Sequence, residues 1–135
     1  MKISLAKNED LNEINDIYNY YISNTAYTFD INQRTVAEKK EWFYQFKNSE
    51  TSICLVGYEN KELIGFVSST KFRDKEAYNQ SLETSVYISD KFKGRGFGKK
   101  LMLELIARLK STNIKNLYAL ITYPNKSSIN LHKAL

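Results

Sequence analysis

The chain has few of the residues that build cross-links. It holds one cysteine, Cys54, and one histidine, His132, in 135 residues. A single Cys excludes an internal disulfide framework, and its neighbours read as a buried strand. With one His and no H-E-x-x-H or C-x-x-C spacing, no metal is expected. One proline and five glycines leave no low-complexity linker, and no internal repeat is visible. The length suits a single domain over residues 1–135. No apolar run approaches a membrane-spanning length and the N-terminus has no signal-peptide pattern, so a cytoplasmic protein without a membrane partner is expected. Twenty Lys and Arg against fifteen Asp and Glu give a net charge of +5. Those charges are scattered, and no base-reading or RNA-stacking motif accompanies them, so nucleic acid is not an expected partner.

What is present is a mixed α/β pattern. Residues 2–6 alternate as a short strand, with Ile3 and Leu5 apolar. Asn8 is a candidate cap for a helix to about Ile22, with Leu11, Ile14, Ile17, Tyr18 and Tyr21 at helical spacing. Thr35 and Glu38 form a capping box for a second helix, whose apolar side is Val36, Trp42, Phe43 and Phe46. Strands are predicted over 51–58 and 63–71, joined by a turn at Glu59-Asn60-Lys61. A loop over 72–80 precedes a strand from Glu83. A helix follows over 96–111, then a strand over 115–122 and a last helix from near Asn125. The order implies an antiparallel core with one parallel crossover, from the Glu83 strand through the helix to the next strand.

The crossover carries the densest chemistry. Lys93-Gly94-Arg95-Gly96-Phe97-Gly98-Lys99-Lys100 lies between the strand Glu83-Thr84-Ser85-Val86-Tyr87-Ile88 and the helix. Glycines let backbone approach a ligand, and the free N–H groups of a helix's first turn favour an anion there. Lys93, Arg95, Lys99 and Lys100 add positive charge. A P-loop is excluded: residue 93 is Lys where glycine is needed, and Lys100 stands where Ser or Thr is needed. A dinucleotide fingerprint is excluded by Lys99 in place of the third glycine. What remains is [QR]-x-x-G-x-[GA], with Lys93 first and Gly96 and Gly98 after it.

That pattern resembles the acetyl-CoA pyrophosphate loop of the GNAT superfamily of N-acetyltransferases. The strand before it, and the segment Pro124-Asn125-Lys126-Ser127-Ser128-Ile129-Asn130-Leu131-His132-Lys133-Ala134-Leu135 after it, are similar to those of phosphinothricin and methionine sulfoximine acetyltransferases. Tyr27-Thr28-Phe29-Asp30 and Phe72-Arg73 with Ala77-Tyr78 are similar to substrate-side elements of that branch. The resemblance implies the GNAT fold, a mixed, mostly antiparallel sheet flanked by helices. It implies acetyl-CoA as co-substrate and a small amino-acid-like amine as acceptor. Val86, Tyr87, Ile88, Lys93, Gly94, Arg95, Gly96, Phe97, Gly98, Lys99, Asn125 and Ser128 would then meet the cofactor. Phe29, Arg73, Lys75 and Tyr78 would meet the acceptor. In the family a glycine–aromatic turn and two strands follow the last helix. The chain stops at Leu135, so those strands are expected to be missing. An edge at Leu117, Ala119 and Ile121 would then be uncovered, open to a second copy of the chain.

An acceptor ammonium with pKa near ~10 has no lone pair for attack, so direct transfer to a thioester needs a base. Glu83 is the candidate, sharing a strand face with Ser85 and Tyr87, opposite Leu82, Thr84, Val86 and Ile88. Partial burial would raise its pKa usefully; a solvent-facing Glu is the alternative. Asn125 and Ser128 also fit a helix cap. His132 fits either a structural role or, by resemblance, the acid that protonates the leaving thiolate. Lys75 stands where the family has Arg and would lose the bidentate fork; a solvated charged loop is the other reading of Arg73 and Lys75. The function expected is N-acetyl transfer to an amino-acid-like amine. A protein N-terminus or another amine as acceptor, and a CoA-binding module without catalysis, are the alternatives.

Overall fold

The computed structural model describes residues 1–24, 33–71, 81–112, 114, 116–119 and 133. The elements are β1 (Lys2–Leu5), α1 (Leu11–Asn24), α2 (Val36–Phe43), β2 (Cys54–Glu59), β3 (Glu62–Lys71), β4 (Ser81–Ile88), α3 (Phe97–Leu109) and β5 (Asn116–Ala119). They form a sheet in the order β1-β2-β3-β4-β5. The first four strands pair antiparallel, and β4 pairs parallel with β5. This is the mixed sheet with one crossover that the pattern predicts.

Local chemistry explains most boundaries. At α2, Glu38 N–H donates to Thr35 Oγ1 and Thr35 N–H donates to Glu38 Oε1, both at 3.1 Å, so the capping box is closed. The β2–β3 turn places Asn60 and Lys61 at φ 51° and 65°, the left-handed pair that a two-residue hairpin loop requires. Asn8 is not the cap of the first helix. A 3-10 turn over Asn8–Asp10 starts at Lys7, and Lys7 N–H donates to Asp10 Oδ2 at 2.8 Å. Asp10 three residues on thus satisfies the N–H of the cap residue with its side chain, the return half of a capping box.

Each face of the sheet carries its own core. On one, α3 lays Leu101, Met102, Leu105 and Leu109 on Ile53, Leu55, Val67 and Leu82. Fully burying each such side chain stabilises by about 1.5–3 kcal/mol before entropy is charged. On the other, Leu11 and Ile14 of α1 join Cys54, Val56, Leu63 and Phe66, with Tyr18, Trp42, Phe46 and Tyr87 packed around them. Cys54 is 3% exposed, and burial pushes its thiol up to about 12, so it is an inert core residue. Three of the four residues predicted for the apolar side of α2, Trp42, Phe43 and Phe46, pack against the core. The fourth, Val36, is 38% exposed. Lys39 instead is buried, with Nζ 3.9 Å from the Tyr18 ring centre and 4.6 Å from that of Trp42. Two aromatic faces make a cation tolerable at a position that sequence pattern assigns to solvent.

Candidate active site

β4 feeds the glycine loop, and its alternation sorts the site. Val86 and Ile88 pack with the α3 core. Tyr87 points the other way, in contact with Phe66, Tyr18 and Tyr21 at ring-centre distances of 5.4, 5.3 and 5.5 Å. Glu83 and Ser85 share the Tyr87 face by the strand's period of two, as predicted. Across β3, Glu83 lies opposite Thr70 and Ser85 opposite Ser68. That face is therefore polar at the Glu83 end and aromatic at the Tyr87 end. Glu83 is half-buried, and burial raises its carboxyl above the usual value. Desolvation disfavours the charged form, and no charged neighbour is needed to account for the shift.

Among the described residues β5 pairs with the first half of β4, from Ser81↔Asn116 to Thr84↔Ala119. The second half, through Val86, Tyr87 and Ile88, pairs with β3. The Ile88 carbonyl accepts a hydrogen bond from Tyr21 Oη, so Ile88 could serve a ligand only through its other atoms.

The loop is a cradle of backbone rather than side chains. After a 3-10 turn over Asp90–Phe92, Gly94 and Gly96 adopt φ 77° and 81°. Only glycine takes this left-handed region at no cost. A Cβ built on either would meet nothing within 4 Å, so the concavity is open. Gly96 caps α3 with no side chain on the free N–H groups, and Lys100 N–H makes the first helical bond, to Gly96 O at 3.2 Å. The N–H groups of Phe97, Gly98 and Lys99 therefore have no helical acceptor and point out of the N-terminus. These residues fit a diphosphate: open space above two glycines, free N–H groups, the positive end of a 13-residue helix and nearby cations. Arg95 lies 5.6 Å over the Phe92 ring and Lys100 5.7 Å over the Phe97 ring.

The sequence reading missed two members of this region. Asp90 Oδ1 is 2.7 Å from Lys93 Nζ. Tyr20 of α1 is hydrogen-bonded to the same carboxylate, which lies below its ordinary range because Lys93 and Tyr20 both bond to it. Lys93 is thus engaged by an internal anion and is not a bare cradle cation. The i,i+3 spacing of Asp90 and Lys93 was a readable signal; the approach of Tyr20 from 70 residues away was not. His132, Asn125, Ser128, Phe29, Arg73, Lys75 and Tyr78 lie outside the described residues. Among the described residues no three His, Cys, Asp or Glu converge as metal ligands, and no helix is long and apolar enough to cross a membrane.

Comparison with known proteins gives consistent matches. The model of the acetyltransferase (GNAT) family matches residues 14–135. The chain is 34% identical over 126 residues to phosphinothricin N-acetyltransferase of Streptomyces coelicolor, covering 92% of this chain and 74% of that protein. It superposes on the crystal structure of a ribosomal-protein-alanine N-acetyltransferase from Brucella melitensis with a TM-score of 0.94, at 28% identity, over 99% of this chain and 82% of the other. A phosphinothricin acetyltransferase from Sinorhizobium meliloti, solved in complex with acetyl-CoA, superposes with a TM-score of 0.93 at 28% identity, over 98% and 72% of the two chains.

Proposed function

The chain belongs to the GNAT family of acetyltransferases and is an acetyl-CoA-dependent N-acetyltransferase; we propose that its acceptor is the primary amine of a small amino-acid-like compound of the phosphinothricin or methionine sulfoximine type. The observation that carries the mechanism is Glu83. It is a half-buried carboxyl with its pKa raised by burial, on the strand that leads into the glycine cradle. A base poised nearer neutrality both accepts a proton well and is still ionised in use.

In this reading Phe97, Gly98 and Lys99 hold the diphosphate through their N–H groups, and β4 at Val86 and Tyr87 guides the pantetheine arm. Bound there, acetyl-CoA supplies the thioester carbonyl. Glu83, directly or through one water, takes a proton from the acceptor ammonium. The freed amine nitrogen forms the new C–N bond as the C–S bond breaks and gives its surplus proton to solvent, and His132 gives the departing thiolate its proton. Arg73 and Lys75 would meet the acceptor's carboxylate, and Phe29 and Tyr78 its apolar body. The proposal includes a cytoplasmic setting and neither nucleic acid nor membrane as partner.

A second reading has support of its own: the Brucella neighbour is named for a ribosomal-protein alanine acceptor. Thiol release measured over an acceptor panel separates the two. The panel holds phosphinothricin, methionine sulfoximine, common amino acids, amines without a carboxylate, and peptides beginning with alanine. Turnover is expected with the amino-acid analogues and is expected to collapse when the carboxylate is removed. Equal turnover of simple amines, or preference for the peptides, would overturn the amino-acid assignment.

A further inference from the structure

Asp90 takes no part in the transfer described above, yet it stands at the mouth of the cradle. Its carboxylate pairs with Lys93 at 2.7 Å and with the Tyr20 hydroxyl. We propose that Asp90 is an internal anion that occupies Lys93 until the cofactor's diphosphate arrives, and so lowers the affinity for the cofactor and speeds its release. The inference rests on the loop being the diphosphate cradle.

Three observations lead there. Lys93 directly precedes Gly94, the first glycine of the open concavity. The Asp90 and Lys93 side chains are 51% and 43% exposed, and an ion pair so exposed is weak enough to exchange. Tyr20 holds the carboxylate from the α1 side, next to Tyr21, whose hydroxyl is bonded to the Ile88 carbonyl. Asp90 therefore lies between the loop and α1. An ammonium has three donors and could serve carboxylate and phosphate together. The two anions, however, repel within a Debye length of about 10 Å. A diphosphate arriving at the α3 N-terminus competes with Asp90 for Lys93 and is opposed by Asp90's charge.

The test is calorimetric titration of CoA and acetyl-CoA into the unmodified protein, Asp90→Asn, Asp90→Ser, Lys93→Ala, the Asp90→Asn/Lys93→Ala pair and Gly98→Ala, at low and high salt. Asparagine keeps an acceptor at the same reach for Tyr20 and removes the charge; serine removes the charge and draws the acceptor back toward the backbone. Each Asp90 variant is expected to bind both ligands about 3- to 10-fold more tightly at low salt, with the gain shrinking at high salt. Lys93→Ala should weaken binding more when residue 90 is Asn than when it is Asp, a non-additive result. Unchanged or weaker binding in folded Asp90→Asn and Asp90→Ser, or strict additivity, overturns the inference. If Gly98→Ala weakens binding while the Asp90 variants do not tighten it, only the role of Asp90 falls. If Gly98→Ala, Lys93→Ala and Asp90→Asn all leave affinity unchanged, the cradle assignment itself falls.

Discussion

At the scale of the residue, Glu83 ties function to a cost in stability. Its folded-state pKa is raised by burial, so the folded protein holds the proton more tightly than the unfolded chain does. Stability linked to this group is present below the unfolded pKa and is lost as pH rises through the folded value. At neutral pH the ionised form is a burden that the proposed role as base requires. Glu83→Gln should therefore lower kcat by roughly 10²–10⁴, the usual span for loss of a general base. The KM for acetyl-CoA should hardly change, and the acidic limb of the pH–rate profile should vanish. The variant should melt no lower than the original at neutral pH. A wild-type rate, or a clear loss of thermal stability, would point to a structural carboxylate instead. The facing of Glu83 was legible because strand alternation is local. The burial of Lys39 was not, because the rings of Tyr18 and Trp42 that accommodate it come together only through the packing of α1 on α2.

At the scale of the element, the decisive contact is where β3 supports the end of β4. Gly65 pairs with Ile88, and a Cβ there would lie 2.5 Å from the Tyr87 carbonyl oxygen and 3.1 Å from the Ile88 Cα. Both are backbone atoms that cannot rotate away. Gly65→Ala must push the end of β4, and with it the entry to the loop, outward. A loss of about 1–3 kcal/mol in urea unfolding is expected, typical of overpacking, together with a raised acetyl-CoA KM. Alanine tolerated on both measures would show that the β3–β4 seam has slack. The hairpin turn, the capping box and the glycine-to-helix junction were readable because each is set by neighbours within a few residues. The start of β2 at Cys54 rather than Thr51 was not. Ser69, from β3, binds the Ile53 N–H and the Thr51 carbonyl with its side chain, replacing strand pairing by a contact distant in sequence. The expected strand over 115–122 is described over Asn116–Ala119, where Leu117 and Tyr118 are 36% and 43% exposed.

At the scale of the molecule, β2, β3 and β4 each give side chains to both cores, so the layers have no separate means of standing. Their composition nonetheless differs. The buried side chains of the α3 layer are aliphatic, or thioether in Met102, whereas the α1/α2 layer rings its buried residues with aromatic side chains, among them Trp42, the chain's one tryptophan. That asymmetry makes the protein a self-labelled optical system. The indole, edge-on to Phe46 at 4.9 Å and to Phe66 at 6.4 Å, emits from one side of the sheet only, while the other side is nearly dark. Trp42 fluorescence and far-ultraviolet circular dichroism followed through the same urea titration should share one midpoint, because the common strands bind the layers into one cooperative unit. Two midpoints would mean that the lit layer dissolves by itself. The same emission would then give a dye-free view of the α1/α2 layer during turnover, separate from the layer built on α3.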